Sequence, residues 1–138
     1  MGSLSHHGDF DIKVSGNILC AKLSGSWNSQ TAEQFAEEFI AIADCLIGQP
    51  WGHLVLLEDW DLGVPEIVPI IERLVSWCIE NGLTRAAQVY SPSMIKQYHL
   101  NEMVVEEFGD FHRHSFASQG EAEAWLAESK FALDSAYS

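Results

Sequence analysis

The chain has 138 residues, of which 47% are hydrophobic and 20% charged. That fits one hydrophobic core and excludes both a disordered tail and a fibrous repeat. Seven Lys and Arg against twenty Asp and Glu leave a formal net charge of −13, which repels phosphate backbones and anionic lipid and disfavours nucleic-acid and membrane-surface binding.

Residues 1–8 are polar and read as a flexible tail outside the fold. Asp9 to Ser15 alternates, with Phe10, Ile12 and Val14 against Asp11 and Lys13, the pattern of a half-buried strand. Gly16-Asn17 is a hairpin turn signal, because both residues tolerate positive φ. Ile18 to Ser24 then returns antiparallel. Asn28 or Ser29 offers a side-chain oxygen to the free N–H groups of a helix start. In the helix that follows, Ala32, Phe35, Ala36, Phe39, Ile42, Ala43, Leu46 and Ile47 recur at three- and four-residue steps. Gly48 stops it, with Pro50 just beyond.

After His53, the unbroken aliphatic run Leu54 to Leu57 reads as a central strand buried on both faces, as parallel sheets require. Residues 58–64 read as a loop. A second helix spans about Glu66 to Asn81, with Ile67, Ile70, Ile71, Leu74, Val75 and Cys78 on one stripe. Pro65 suits its first position, and Pro69 should tighten or bend its first turns. Thr84 to Tyr90 forms a fourth strand, Ser91 to about Phe108 a helical region broken near Leu100-Asn101, and His112 to Ala117 a short fifth strand. Ser118-Gln119-Gly120-Glu121 is a capping box for a last helix that carries Ala122, Trp125 and Leu126 to the core. Residues 131–138 form a C-terminal tail. The predicted architecture is α/β: one domain over residues 9–130, with a mostly parallel five-stranded sheet, a leading β-hairpin and about four helices.

This order, together with Gly25-Ser26-Trp27, Gly48-Gln49-Pro50-Trp51, Glu58-Asp59-Trp60 and the ending Ser118 to Leu126, resembles the STAS-like fold of the anti-sigma-factor antagonists. Within it, the chain resembles the SpoIIAA-like proteins of unknown function. The resemblance spans residues 9–127 and implies a bacterial, non-enzymatic regulatory module. The fold is also similar to the lipid-binding CRAL-TRIO domains, without their helical extensions. One departure matters. The sporulation-type antagonists are phosphorylated on a Ser or Thr after the third strand, whereas here Ala32 to Val75 contains neither residue. A kinase-operated switch at that position cannot be carried over.

Several residue groups invite chemical readings. Asp59 and Asp61 follow an apolar strand, where open α/β sheets bind ligands, and two such carboxylates can hold Mg²⁺. Phosphatase chemistry would also need a Lys and a hydroxyl residue nearby, and from Leu23 to Glu72 there is no Lys or Arg. A solvated loop and helix start is the competing reading. His112-x-His114 places two imidazoles on one strand face, without a third ligand at metal spacing. Cys20, Cys45 and Cys78 form no CxxC pattern, so neither a disulfide framework nor a thiolate metal site is expected. Among five tryptophans, Trp27, Trp51 and Trp60 read as loop residues near strand ends, where aromatic residues either contact a partner or cap the core.

The leading expectation is therefore a binding or regulatory module acting through protein–protein contacts, with candidate partner or ligand contacts at Trp27, Asp59, Trp60, Asp61 and Glu66. A carrier or sensor of a small apolar ligand is the alternative. A Mg²⁺-dependent hydrolase using Asp59 and Asp61 comes third. No catalytic, cofactor-binding or metal-ligating set is assigned, and homodimerisation is left open. The polar start and the short apolar runs point to a cytoplasmic protein without a membrane span.

Overall fold

The computed structural model describes residues 8–61, 65–89, 107–108, 110–129 and 131. Apart from Gly8 and Phe131, the expected terminal tails lie outside them, as does most of the helical region from Ser91; Phe131, expected in the tail, is instead buried in the core. Strands β1 (Asp9–Ser15) and β2 (Ile18–Ser26) form the hairpin, turning at Gly16, whose φ is 62°. Helix α1 (Ser29–Ala43) crosses to β3 (Trp51–Asp61), and α2 (Ile67–Glu80) crosses to β4 (Leu83–Val89). The two-residue β5 (Glu107–Phe108), β6 (Phe111–Phe116) and α3 (Gln119–Glu128) complete the described elements.

The sheet has six strands in the order β1-β2-β3-β4-β6-β5. Its central pairings β2–β3, β3–β4 and β4–β6 are parallel, whereas β1–β2 and β5–β6 are antiparallel. The sheet is thus mixed rather than mostly parallel, because connections as short as these edge turns can only return antiparallel. The sixth strand lies where the sequence pattern extends a helix to Phe108. Two residues are too few to carry a period, so their pairing with Phe111 and His112 is set by the sheet edge.

Three helices are present among the described residues. Helices α1 and α2 cover one face of the sheet, over Leu19, Ala21, Leu23, Val55, Leu57 and Ala86. Helix α3 covers the other face, over Ile18, Cys20, Leu54, Ala87 and Val89. Adjacent residues Leu54 and Val55 on β3 are both buried, as expected for a strand with a layer on each side.

One departure from regular pairing decides where the far end of β3 points. Lys22 pairs with Leu56, but Ser24 pairs with Asp59, so three steps along β3 match two along β2. The extra residue is a β-bulge, which reverses the side-chain alternation beyond it. Trp60 consequently joins Val55 and Leu57 in the core under α1 and α2, whereas even alternation would send it to the opposite face. The expected loop at Glu58 to Asp61 is therefore strand, because Ser24, Gly25 and Ser26 supply pairing partners there.

Helix α1 starts as its sequence implies: the Thr31 N–H donates to Asn28 Oδ1 at 2.9 Å. Replacing Asn28 by Ala should lower stability by about 1 kcal/mol. Ser29→Ala should stay within about 0.5 kcal/mol. Urea unfolding of the two variants separates the cap from its neighbour.

Candidate functional site

The space between the sheet and helices α1 and α2 is incompletely filled. A cavity of about 80 Å³ lies there, walled by Phe35 and Phe39 of α1, by Ile71, Leu74, Val75 and Cys78 of α2, and by sheet residues including His53, Val55, Leu57, Trp60, Ala86 and Gln88. Each wall follows from periodicity. Phe35 and Phe39 are four residues apart on one helical stripe, as are Ile71 and Val75, and Leu74 and Cys78. His53, Val55 and Leu57 alternate along β3. Apolar side chains dominate the lining, and His53, Gln88, Trp60 and Cys78 are the lining residues whose side chains carry a polar or sulfur atom.

Most of these polar groups are accounted for. The His53 Nδ1–H donates to the Leu19 carbonyl at 2.8 Å, and the ring meets Phe39 edge-on at 5.1 Å between centroids. Burial is the main influence on this imidazole and lowers its pKa to about 4, the hydrogen bond to Leu19 opposing it. The half-buried ring is therefore neutral near pH 7. Buried Arg113 donates to Gln88 Oε1 at 2.8 Å. Burial pushes the Cys78 thiol up, which keeps it protonated and unreactive.

The three tryptophans near strand ends behave differently from one another. All are buried. Trp27 Nε1–H donates to the Ser24 and Asp9 carbonyls, at 3.1 and 3.3 Å. Trp51 Nε1–H donates to the Asn81 carbonyl at 2.9 Å. Trp60 packs edge-on against Trp27, 5.5 Å between centroids, yet its buried Nε1–H has no acceptor among the described residues. An unmet buried donor of this kind costs about 1–3 kcal/mol.

The residues singled out in the sequence thus separate. Trp27 and Trp60 are only 1% and 3% exposed, so neither ring is presented to a protein partner. The bulge and the hairpin end fold both inward. Of the two, Trp60 lines the cavity. Asp59 lies on the surface, 3.9 Å from Lys22 Nζ across the β2–β3 pair. Asp61 closes β3, and exposed Glu66 precedes α2 without making a side-chain cap. Of the four whose side chains are described, Trp27 and Trp60 pack against each other in the core, whereas Asp59 and Glu66 are exposed. Among the described residues, no three His, Cys, Asp or Glu side chains cluster as a metal centre. His112 and His114 lie on the α3 face of β6, where the His114 ring stands 4.8 Å from that of Trp125. Gln88 and Phe111 were missed as site residues. Gln88 is one of three polar residues in Leu83–Val89, beside Thr84 and Arg85, so neither it nor Phe111 carried a distinguishing signal.

Comparison with solved structures finds the same fold over most of the chain. The chain has a SpoIIAA-like fold. An uncharacterised DUF3478-family protein with that fold from Shewanella loihica PV-4 superposes with a TM-score of 0.65, at 16% identity over 88% of this chain and 94% of that one. The NMR structure of TM1081 superposes with a TM-score of 0.58, also at 16% identity, over 88% and 91%. No family model matches the sequence, and no curated protein does. No helix among the described residues is long and apolar enough to cross a membrane.

Two outcomes follow from these environments. The folded-state pKa of His53 lies below its ordinary 6.5, so between pH 6.5 and 4 the unfolded chain binds the extra proton. Stability falls as pH drops through that window, by about 2 kcal/mol between pH 7 and 5. His53→Gln should flatten that part of the urea-midpoint profile. Of the free cysteines, Cys45 is exposed while Cys20 and Cys78 are buried. Ellman's reagent should therefore titrate Cys45 alone in the native protein, and all three thiols in denaturant.

Proposed function

We propose that this protein is a non-catalytic binding module that takes the apolar part of a small molecule into the cavity between its sheet and α1–α2. The observation that carries this reading is the cavity itself, about 80 Å³ and walled mainly by aliphatic and aromatic side chains. Ligand sites are concave, largely apolar and furnished with a few placed polar groups. The volume is roughly half that of an apolar cavity known to admit benzene, about 150 Å³, so a short alkyl group fits better than a ring system. The neutral His53 and the protonated Cys78 fit a role in holding a ligand rather than in transforming it.

Partner binding through Trp60 is less well supported, since that ring faces the core. A protein partner would meet the acidic surface at Asp59 and Glu66 instead, and a solvated face explains those carboxylates equally well.

The test uses methyl-labelled protein and millimolar propane or acetone. Resonances of Val55, Ile71 and Leu74 should move with at least one probe, in a saturable way. Ala86→Leu adds three carbons to a buried cavity wall and should weaken that response at least tenfold while preserving the rest of the spectrum. Unmoved methyls with both probes would overturn the reading.

A further inference from the structure

The two edges of the sheet are finished differently. At one end β5 is two residues long, and short edge strands guard against unwanted pairing. At the other, β1 runs for seven residues in continuous register with β2, with no Pro, Gly or bulge among them. It stands first in the strand order, so no described strand lies on its outer side. Ser15 and Ile18 flank a two-residue turn and are therefore a hydrogen-bonded pair. Alternation then turns the backbone groups of Asp9, Asp11, Lys13 and Ser15 toward β2, and those of Phe10, Ile12 and Val14 outward. The Phe10 N–H donates there to the side chain of its own neighbour, Asp9 Oδ1, at 2.8 Å. The side chains of Phe10, Ile12 and Val14 pack against the α1–α2 core layer but stay half-buried, whereas Leu23, Ala21 and Leu19 opposite them are buried. An apolar stripe and a row of backbone donors and acceptors thus end together at this edge.

We infer that β1 is a self-pairing edge: a second copy of this chain adds its own Asp9–Ser15 strand antiparallel to it, about a two-fold axis at Ile12. The sheet then runs on through both copies, and the cavity takes no part. Hydrogen bonding limits the register, because the outward residues Phe10, Ile12 and Val14 must face one another. Charge selects among the registers that remain. Centred on Ile12, the pairing sets Phe10 opposite Val14 and Asp11 opposite Lys13, each twice by symmetry. A two-residue shift one way sets Asp11 opposite Asp11, although it also pairs Asp9 with Lys13. The opposite shift sets Lys13 opposite Lys13. Like charges directly opposite are destabilising, so the centred register is favoured. Both side chains are available, with Lys13 55% and Asp11 72% exposed in a 3.9 Å pair within their own chain. The net charge of −13 opposes the meeting of two copies. The hairpin is where that repulsion is least, since residues 9–26 hold two Asp and two Lys, whereas residues 27–72 hold no Lys or Arg. One strand pair is small for an interface, which places the dimer in the weak, transient class.

The experiment is sedimentation equilibrium over about 10 µM to 1 mM protein, where weak complexes become populated. The unmodified chain should dimerise within that range. Asp11→Lys and Lys13→Asp each set like charges opposite one another and should weaken the dimer about tenfold. Both positions are exposed, and unchanged far-UV spectra check that the variants fold. An equimolar mixture of the two single variants should recover association, because two lysines on one strand then face two aspartates on the other. Asp11→Lys and Lys13→Asp combined in one chain should recover it as well. The shifted registers forbid that last result, since each keeps a like-charge pair. Dimerisation unaffected by either single exchange would overturn the edge as the interface, and no recovery in the combined variant would overturn the register. A chain monomeric throughout would overturn the proposal. Slow hydrogen exchange at the Phe10, Ile12 and Val14 amides of that monomer would then show another segment of the same chain on this edge.

Discussion

Strand β3 carries buried side chains on both faces, with Trp51, Val55, Leu57 and Trp60 toward one layer and Leu54 toward the other. Burying each such side chain contributes about 1.5–3 kcal/mol, which requires a layer on each side. Helices α1 and α2 supply one and α3 the other. The parallel pairings on both sides of β3 follow, since crossovers through helices bring successive strands back in the same direction. The antiparallel pairs are confined to the two edges, where connections are short.

The two layers are not equivalent. Helix α3 is short, and its buried residues Ala122 and Leu126 sit directly on Ile18, Cys20, Leu54 and Ala87. The α1–α2 layer is larger and rich in aromatic rings. Phe10, Trp27, Phe35, Phe39 and Trp60 form a chain of edge-on and tilted contacts, with centroids 5.1 to 5.9 Å apart. Rings packed edge-on leave angular gaps more readily than interdigitating aliphatics do, and the cavity lies beside this chain. His53, Gln88 and Arg113 bring polar atoms to the same face. Hydrogen bonds within the protein keep these buried groups from destabilising it, and the Trp60 indole differs from them in that respect.

The sequence resolved those parts of the fold that local patterns control. Asn28 as the α1 cap, the Gly16-Asn17 turn, the α1 and α2 stripes, and the doubly buried run at Leu54–Leu57 are each written within a few neighbouring residues. The candidate site was only partly legible. Trp60 was recognised as unusual, but its direction depends on one extra residue in β3 opposite Lys22–Ser24. That residue is a property of pairing between strands more than thirty positions apart. No window of the β3 sequence distinguishes Glu58-Asp59-Trp60-Asp61 as bulged strand from the same residues as loop.

By itself, then, the sequence determined the α/β class, the order of the main elements and the acidity of the chain, because propensity, periodicity and charge act locally or additively. The tertiary structure decided three further things: the antiparallel sheet edge at β5, the inward turn of Trp60, and the cavity that Trp60 shares with α1 and α2. Each depends on how distant segments register and pack. A shift of one residue in pairing moves a side chain from one face of a sheet to the other, and a gap exists only between surfaces that meet after folding.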